Sequence, residues 1–234
     1  MAVTPRDSET FYREVDEELR KERAARWFSR YGIAAAIGVV LLLAAIAGFL
    51  WWQHDQRRKA GENGAAFTQA LEAIQAGQGK EAGAKLQPLI EDGSVGYRAA
   101  ALLAKADIAA QDNKNAEAVA GFKQVVENKD FPAPYRDLAL IRQTGIEFDT
   151  LKPSEVIARL QPLATPGNPW FGTAGELVAA AHLKAGQPQQ AAPIFAAIAK
   201  DESLPLSMRS RAVQMAGALG VDAVKEAPQS AAKE

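Results

Sequence analysis

The sequence predicts an all-α protein in which a single N-terminal transmembrane helix is followed by a helical-repeat domain of the α-solenoid kind. Three observations predict this fold. One long stretch near the N-terminus is apolar and uncharged. The composition is 48 % hydrophobic but only 7 % aromatic, which favours close-packed helices rich in alanine and leucine over sheets. Beyond residue 60, one spacing of apolar residues recurs about every 36 residues.

The segment 1–31 precedes the apolar stretch and is predicted to form a cytoplasmic amphipathic helix. Ser8 is placed to cap its start, and Phe11, Val15 and Leu19 follow at four-residue spacing on one face. The remaining face carries charges of both signs. Such a face fits a solvated helix that continues into the membrane, and it also fits docking on a cytoplasmic partner.

Residues 32–53 form the predicted transmembrane helix, with an apolar centre from Ile33 to Trp52. The segment has no charged residue, and ~20 residues at a rise of ~1.5 Å cross the ~30 Å hydrocarbon layer. Tyr31 before the segment and Trp51 with Trp52 at its end match the aromatic belts of membrane interfaces. Length and borders together predict one crossing.

Flanking cations predict the orientation of this helix. Before it stand Arg13, Arg20, Lys21, Arg23, Arg26 and Arg30, and after it stand Arg57, Arg58 and Lys59. This bias places the N-terminus in the cytoplasm and the C-terminal domain on the other side. A cleaved signal peptide is the competing interpretation, because Ala45-Ile46-Ala47 offers a cleavage site. Seven acidic residues among the first 30, and an apolar run that continues past this site, favour an uncleaved anchor.

A stripe of small residues follows one face of the predicted transmembrane helix. Ala34, Gly38, Ala45 and Gly48 fall within about 80° on a helix that turns 100° per residue. Such a stripe allows another membrane helix to approach closely. Spans rich in alanine and glycine also form stripes of this kind by chance.

Composition and motifs argue against several classes of function. The net charge is −1, without the concentrated basic face of a nucleic-acid-binding domain. The chain has no cysteine and two histidines, His54 and His182, both expected to be structural. No hydrolase, kinase or dinucleotide motif occurs, and Gly77-Gln78-Gly79-Lys80 is expected to end a helix rather than to bind phosphate. We therefore expect no enzyme, no cofactor, no metal and no small-molecule substrate.

Four segments beyond the membrane share one apolar spacing. A first residue is followed by a large apolar residue four positions later and by another three positions after that. The four sets are Ala82, Leu86 and Leu89; Ala118, Phe122 and Val125; Val156, Leu160 and Leu163; and Ala191, Phe195 and Ile198. Their first members are 36, 38 and 35 residues apart. Each set follows another helical pattern, at 65–76, 97–110, 134–148 and 170–185, so the unit is a helix pair that must stack on its neighbours.

These helix pairs resemble tetratricopeptide repeats, and the resemblance covers residues 61–220. The last pair carries it best, through Val178-Ala179, His182, Gly186, Ala191, Phe195, Ile198 and Pro205. The second pair matches at Leu103-Ala104, Ala118, Phe122 and Pro132, with two extra residues in its turn. The other two pairs are degenerate, although the tetrapeptide Leu-Gln-Pro-Leu occurs in both, at 86–89 and 160–163. Residues 207–219 predict a terminal capping helix, and the tail 221–234 is expected to be disordered.

A solenoid of this kind presents a surface formed by the first helices of its repeats, which suits an extended peptide or a partner helix. Five side chains at the starts of first helices are the candidate contacts: Tyr97, Arg98, Tyr135, Trp170 and Phe171. The alternative is that these side chains staple the helix starts, because they stand beside proline or glycine.

The whole layout resembles the YfgM-type ancillary subunits of the SecYEG translocon. The segments that carry this resemblance best are Gly96 to Ala106 and Asn115 to Phe122. The resemblance implies a protein of the bacterial inner membrane with a periplasmic domain. Its implied partners are SecYEG and a membrane-anchored periplasmic prolyl isomerase, and its implied role is to assist translocated proteins. A scaffold for envelope assembly or cell division is the alternative with the same architecture.

Overall fold

A computed structural model of the protein describes residues 5–222, and it describes side chains for Ser29, Ile33, Ala34 and 36–222. Within residues 5–222 the chain forms helices and turns and no strand, which confirms the all-α class. The chain divides into two compact units, one that ends at Gly61 and one that begins at Glu62. Each unit is described by itself.

The first unit is occupied by helix α1, which runs from Pro5 to Gln75 and so extends past this unit. Its portion from Ala36 onward contains a window of mean hydropathy 2.0, long and apolar enough to cross a membrane. Every large apolar side chain described between Ile33 and Trp52 is at least 46 % exposed. Contiguous apolar surface of this kind needs lipid or protein to cover it. The side chains of the predicted amphipathic segment, including Phe11, Val15 and Leu19, lie outside the described residues.

The second unit contains the last turns of α1 and eight further helices within the described residues. These are α2 (Gly79–Asp92), α3 (Val95–Gln111), α4 (Asn115–Glu127), α5 (Ala133–Glu147), α6 (Pro153–Leu160), α7 (Phe171–Lys184), α8 (Pro188–Lys200) and α9 (Leu206–Ala218). The end of α1 and helices α3, α5 and α7 are the first helices of four pairs, and α2, α4, α6 and α8 are the second helices. Helix α9 stands at the position of the predicted cap. Of the predicted tail 221–234, residues 223–234 lie outside the described part of the chain.

The core of the second unit consists of four apolar clusters in the part of the chain that the structure describes. Three of them take side chains from a first helix, from its second helix and from the first helix of the next pair, and the last takes them from α7, α8 and α9. In one cluster, for example, Leu103 of α3 and Phe122 of α4 pack with Ala139 of α5. The apolar spacing therefore marks the buried edge of the second helices: Phe122 is 0 % exposed and Phe195 is 4 % exposed.

Three of the four turns within pairs share one geometry, in which a residue with positive φ closes the first helix. These residues are Gly77, Asn113 and Gly186, with φ angles of 72°, 61° and 71°. At the first turn the amide of Gly77 donates to Ile74 O, and the amide of Gln78 donates to Ala73 O, which is the Schellman arrangement. The expected role of Gly77 as a helix terminator is confirmed.

The predicted alignment of the second repeat is wrong by two residues. Three residues separate α3 from α4 and also α7 from α8, so the turn at Asn113 has no extra residues. Counted back from the residues of positive φ, Lys105-Ala106 rather than Leu103-Ala104 corresponds to Val178-Ala179. Ala106 is 3 % exposed, as a helix-crossing position requires. The error arose because Leu103 is the more apolar match, although it packs elsewhere in the same core.

The third pair departs from the other three in both its turn and its second helix. Five residues separate α5 from α6, none of them with positive φ. The carbonyls of Phe148 and Asp149 after α5 accept hydrogen bonds from Lys184 Nζ at 2.9 and 3.0 Å. Helix α6 has only 8 residues and ends at Leu160, so Leu163, predicted on this helix, instead lies buried in the turn after it. Lys184 of the next repeat thus caps the C-terminal end of α5, where the turn has no residue with positive φ.

Candidate functional site

A groove of about 810 Å³ lies on the surface formed by the first helices of the second, third and fourth pairs. It is lined by the C-terminal half of α3, the middle and end of α5 and the part of α7 up to Ala180, together with Phe122 of α4. A volume of this size accommodates several side chains of a bound segment.

The floor of the groove is apolar. Leu138, Ile141 and Ile146 of α5 face Leu177 of α7, and the ring of Trp170 lines the groove just before α7 begins. Ile141 is almost fully buried, whereas the other four side chains are partly exposed. Partly exposed apolar side chains that share one groove lose water when a ligand covers them, which favours binding.

Small residues keep the groove open. Ala110 on α3, Gly145 on α5 and Ala180 on α7 line it, and they are spaced 35 residues apart along the chain. A Cβ atom added at Gly145 would meet nothing within 4 Å. Three successive first helices therefore each contribute a position at which no side chain fills the space.

One ion pair at the groove connects α3 to α5. Arg142 Nη1 lies 3.9 Å from Asp107 Oδ1, and the two side chains are 58 % and 37 % exposed. Burial raises the pKa of the Asp107 carboxyl above its ordinary 3.8, and the Arg142 guanidinium counteracts this only in part. The charge of the Asp107 carboxylate is thus half-buried, and Arg142 compensates only weakly for the water that burial removes.

A second ion pair connects α7 to α9. Arg211 Nη2 donates to both carboxylate oxygens of Glu176 at 3.0 Å. Glu176 lines the groove on the side opposite Asp107. Within the described residues no ion pair connects α5 to α7, so of the two junctions between the first helices at the groove only that of α3 with α5 carries an ion pair.

The third pair, which contributes α5 to the groove, has the shortest second helix within the described residues. The second helices of the other pairs have 13 or 14 residues. Helix α6 has 8, and residues 161–170 continue as turns up to Trp170, which lines the groove.

Of the five predicted contacts, only Trp170 lines the groove. Tyr97 packs edge-on against Phe67 with ring centroids 6.1 Å apart, and the Arg98 guanidinium lies 6.0 Å from the ring centroid of Phe131. These contacts, and that of Tyr135 with the core beneath α5, resemble the predicted stapling of helix starts.

Phe171, the fifth predicted contact, is 2 % exposed and belongs to the last apolar cluster. Its ring has almost no surface to offer a partner. That Tyr97, Arg98 and Tyr135 contact a partner stays a prediction. These three residues lie outside the groove.

Of the two histidines expected to be structural, His182 is buried, whereas His54 is exposed on α1 and its role stays a prediction. His182 is 9 % exposed, and its Nδ1 lies 2.9 Å from Gln187 Oε1, which connects α7 to the turn that follows it. Among the described residues, no group of three or more metal-ligating side chains occurs. Ala34, Gly38, Ala45 and Gly48 are exposed on α1, and Cβ atoms added at the two glycines would meet nothing within 4 Å.

Helix pairs that stack through shared clusters, with a ligand-sized groove on their first helices, define a helical-repeat protein of the class that binds other proteins. The chain belongs to the family described as tetratricopeptide repeat-like domain, whose model matches residues 25–215. This family typically consists of non-enzymatic scaffolds for protein interaction. No curated protein and no solved structure matches the chain.

Asp107, Arg142 and Glu176, which carry the charge of the groove, are not marked by any of the patterns that predict the fold. A signal was present in the recurrence of Ala110, Gly145 and Ala180 every 35 residues on the first helices. Small residues at this spacing predict a channel between the first helices. Aromatic residues at the helix starts indicate only the ends of the same helices.

Proposed function

We propose that the protein is a membrane-anchored binding module that assists proteins emerging from the Sec translocon. The observation that carries this proposal is the open apolar groove across α3, α5 and α7, in a family of protein-interaction scaffolds. An apolar floor with a few charged groups at its edges suits a segment of polypeptide that is not yet folded. The groove lacks any constellation of catalytic groups, in keeping with a binding role.

The proposed arrangement has four parts. Residues 1–31 lie in the cytoplasm, 32–53 cross the membrane, 61–220 form the repeat domain in the periplasm and 221–234 form a disordered tail. The exposed apolar portion of α1 supports the crossing, and the excess of cations before it supports the orientation. The bacterial inner membrane is the corresponding location.

The proposed partners are SecYEG and a membrane-anchored periplasmic prolyl isomerase. Their support is the resemblance of residues 96–106 and 115–122 to YfgM-type subunits. The stripe Ala34, Gly38, Ala45 and Gly48 is the proposed contact with a membrane helix of one of them, because close packing of small residues drives helix association in lipid. In this arrangement the stripe holds the protein beside the translocon while the groove receives the emerging chain.

Photocrosslinking in living cells tests the proposal. A photoreactive amino acid replaces Thr173, an exposed residue of the groove, in the full chain. The matched control replaces Gln190, which is exposed on α8 outside the groove. We expect adducts with newly exported polypeptides at position 173 and few at position 190, identified by mass spectrometry.

Three results would count against the proposal. Equal adducts at both positions would mean that the groove is not the binding site. Adducts confined to cytoplasmic proteins would contradict the orientation. Capture of envelope-assembly or cell-division proteins without translocon subunits or exported chains would support the alternative scaffold instead.

A further inference from the structure

The two carboxylates that line the groove are paired unequally. Glu176 on α7 accepts hydrogen bonds from Arg211 Nη2 at 3.0 Å through both oxygens, whereas Asp107 on α3 lies 3.9 Å from Arg142 on α5. Among the described residues, Arg142 is the only cation that lines the groove, and it is more exposed than either carboxylate.

Asp107 has room for a second cation. Its one ion-pair partner among the described residues is Arg142, at a distance of 3.9 Å, close to the outer limit of such a contact. The carboxylate is half-buried, and burial raises its pKa despite that partner. A ligand cation at this position would restore the solvation that burial has removed.

A ligand anion meets the opposite situation. To pair with it, the guanidinium of Arg142 would have to move away from Asp107 and leave that half-buried carboxylate without its ion-pair partner. Glu176, the other carboxylate that lines the groove, is already paired with Arg211, so Asp107 is the carboxylate that a ligand anion would leave unpaired. Loss of the ion-pair partner of a half-buried carboxylate opposes the binding of acidic segments.

We infer that the groove binds a polypeptide segment in which a lysine or arginine stands next to a large apolar side chain. The apolar side chain lies on the floor between Leu138 and Leu177, in the space left by Ala110, Gly145 and Ala180. The cation pairs with the carboxylate of Asp107, beside Arg142. This inference rests on the proposed function and adds to it the chemistry of the client.

Selection from a phage-displayed library of short random peptides tests the inference, with the full chain held in lipid nanodiscs. The wild type is compared with three variants. Asp107→Asn removes the charge and preserves the shape, and Ala180→Phe fills the groove. Asp130→Asn is the matched control, because Asp130 is exposed in the loop before α5 and does not line the groove. Thermal unfolding of each variant verifies that it is folded.

We expect wild-type selections to enrich lysine or arginine beside leucine, phenylalanine or tryptophan, and to deplete aspartate and glutamate. In a selected peptide, replacing the cation by glutamine should weaken binding to the wild type about fivefold. The same replacement should leave binding to folded Asp107→Asn unchanged, and Asp130→Asn should behave as the wild type does.

The failures of the two proposals are distinguishable. Enrichment of apolar residues without basic ones, or with acidic ones, would overturn the inference and leave the groove as a binding site. An equal effect of the glutamine replacement on the wild type and on Asp107→Asn would do the same. Selections that do not differ between the wild type and folded Ala180→Phe would overturn the inference and the role of the groove together.

Discussion

At the scale of single residues, the charge state of Asp107 affects the stability of the fold. Its pKa is raised in the folded protein by burial, which Arg142 offsets only in part. A raised pKa means that the folded state holds the proton more tightly than the unfolded state does. The stability contributed by this proton is fully present below the unfolded value near 3.8 and is lost as the pH rises through the folded value.

The change Asp107→Asn should therefore flatten this part of the pH profile. Asparagine does not titrate, so the stability of the variant relative to the wild type should increase as the pH rises from about 3.8 through the raised pKa of Asp107, and should then level off. Thermal unfolding of both proteins across this range measures the difference, and Asp130→Asn serves as the control. A difference that stays constant across the range would mean that Asp107 does not carry the shift.

Thr144 presents a second residue-scale prediction. Its side chain is 0 % exposed, and its hydroxyl has no hydrogen-bond partner. Because a buried unpaired hydroxyl costs about 1–3 kcal/mol, the nearly isosteric change Thr144→Val should raise the free energy of unfolding by about 1 kcal/mol.

Chemical denaturation measures the effect of Thr144→Val, and Thr150→Val is its control. Thr150 is exposed, and its hydroxyl donates to Glu147 O at 2.9 Å, so the same chemical change should give no gain there. Loss of stability in Thr144→Val would show that its hydroxyl is satisfied in solution.

At the scale of the helices, two glycines distinguish open surface from close packing. Gly83 on α2 has nothing within 4 Å of an added Cβ, whereas at Gly121 on α4 this atom would lie 2.9 Å from the Cβ of Ala106. Gly83→Ala should stabilise the protein by about 0.5–1 kcal/mol through helix propensity. Gly121→Ala should destabilise it by about 1–3 kcal/mol, because α3 and α4 must move apart.

Denaturant titration of the two glycine variants measures both changes. Far-ultraviolet circular dichroism of the native proteins controls for loss of helix. If both substitutions stabilised the protein equally, the close approach of α4 to Ala106 would be incorrect.

The tetrapeptide Leu-Gln-Pro-Leu shows what sequence predicts of a helix and what it misses. At 86–89 it lies inside α2, with Pro88 in the helix interior, whereas at 160–163 the helix ends at its first residue. The apolar spacing is the same in both places. After Pro88 four residues continue the helix, but after Pro162 a second proline, Pro166, follows within four positions. Proline removes a helix donor and disfavours the residue before it, so too few residues remain to extend α6.

At the scale of the whole molecule, the orientation in the membrane is the main prediction. A reporter enzyme that matures only outside the cytoplasm should be active when fused after Glu234, because cations are more numerous before the apolar segment than after it. The same reporter fused before Met1 should be inactive. Activity assays in intact cells, with immunoblots to control for expression, measure the two fusions.

N-terminal sequencing of the same fusion separates an anchor from a cleaved leader. A protein that begins at Met1 fits the anchor. A mature N-terminus near Gly48 would contradict it and would favour the signal-peptide interpretation.

The sequence predicts the helix pairs and their order more fully than it predicts the groove. Periodic apolar residues and turn residues such as Gly77 and Gly186 act locally, so they indicate helix pairs and their order without knowledge of the fold. The groove depends on how α3, α5 and α7 are placed relative to one another, and the turns at 161–170, which precede α7, carry no periodic pattern. Charged side chains such as Asp107 and Arg142 are brought together only by that placement.

The sharing of each apolar cluster among three consecutive helices has a consequence for how the chain reaches its fold. Each cluster joins helices that follow one another in sequence, so the contact order of the domain is low and long loops need not close. A cluster becomes complete as soon as the next helix after its pair is present. The N-terminal repeats can therefore acquire their structure while the C-terminal ones are still being synthesised. In the proposed periplasmic arrangement, the folded N-terminal repeats would oppose backward movement of a chain that is still crossing the membrane.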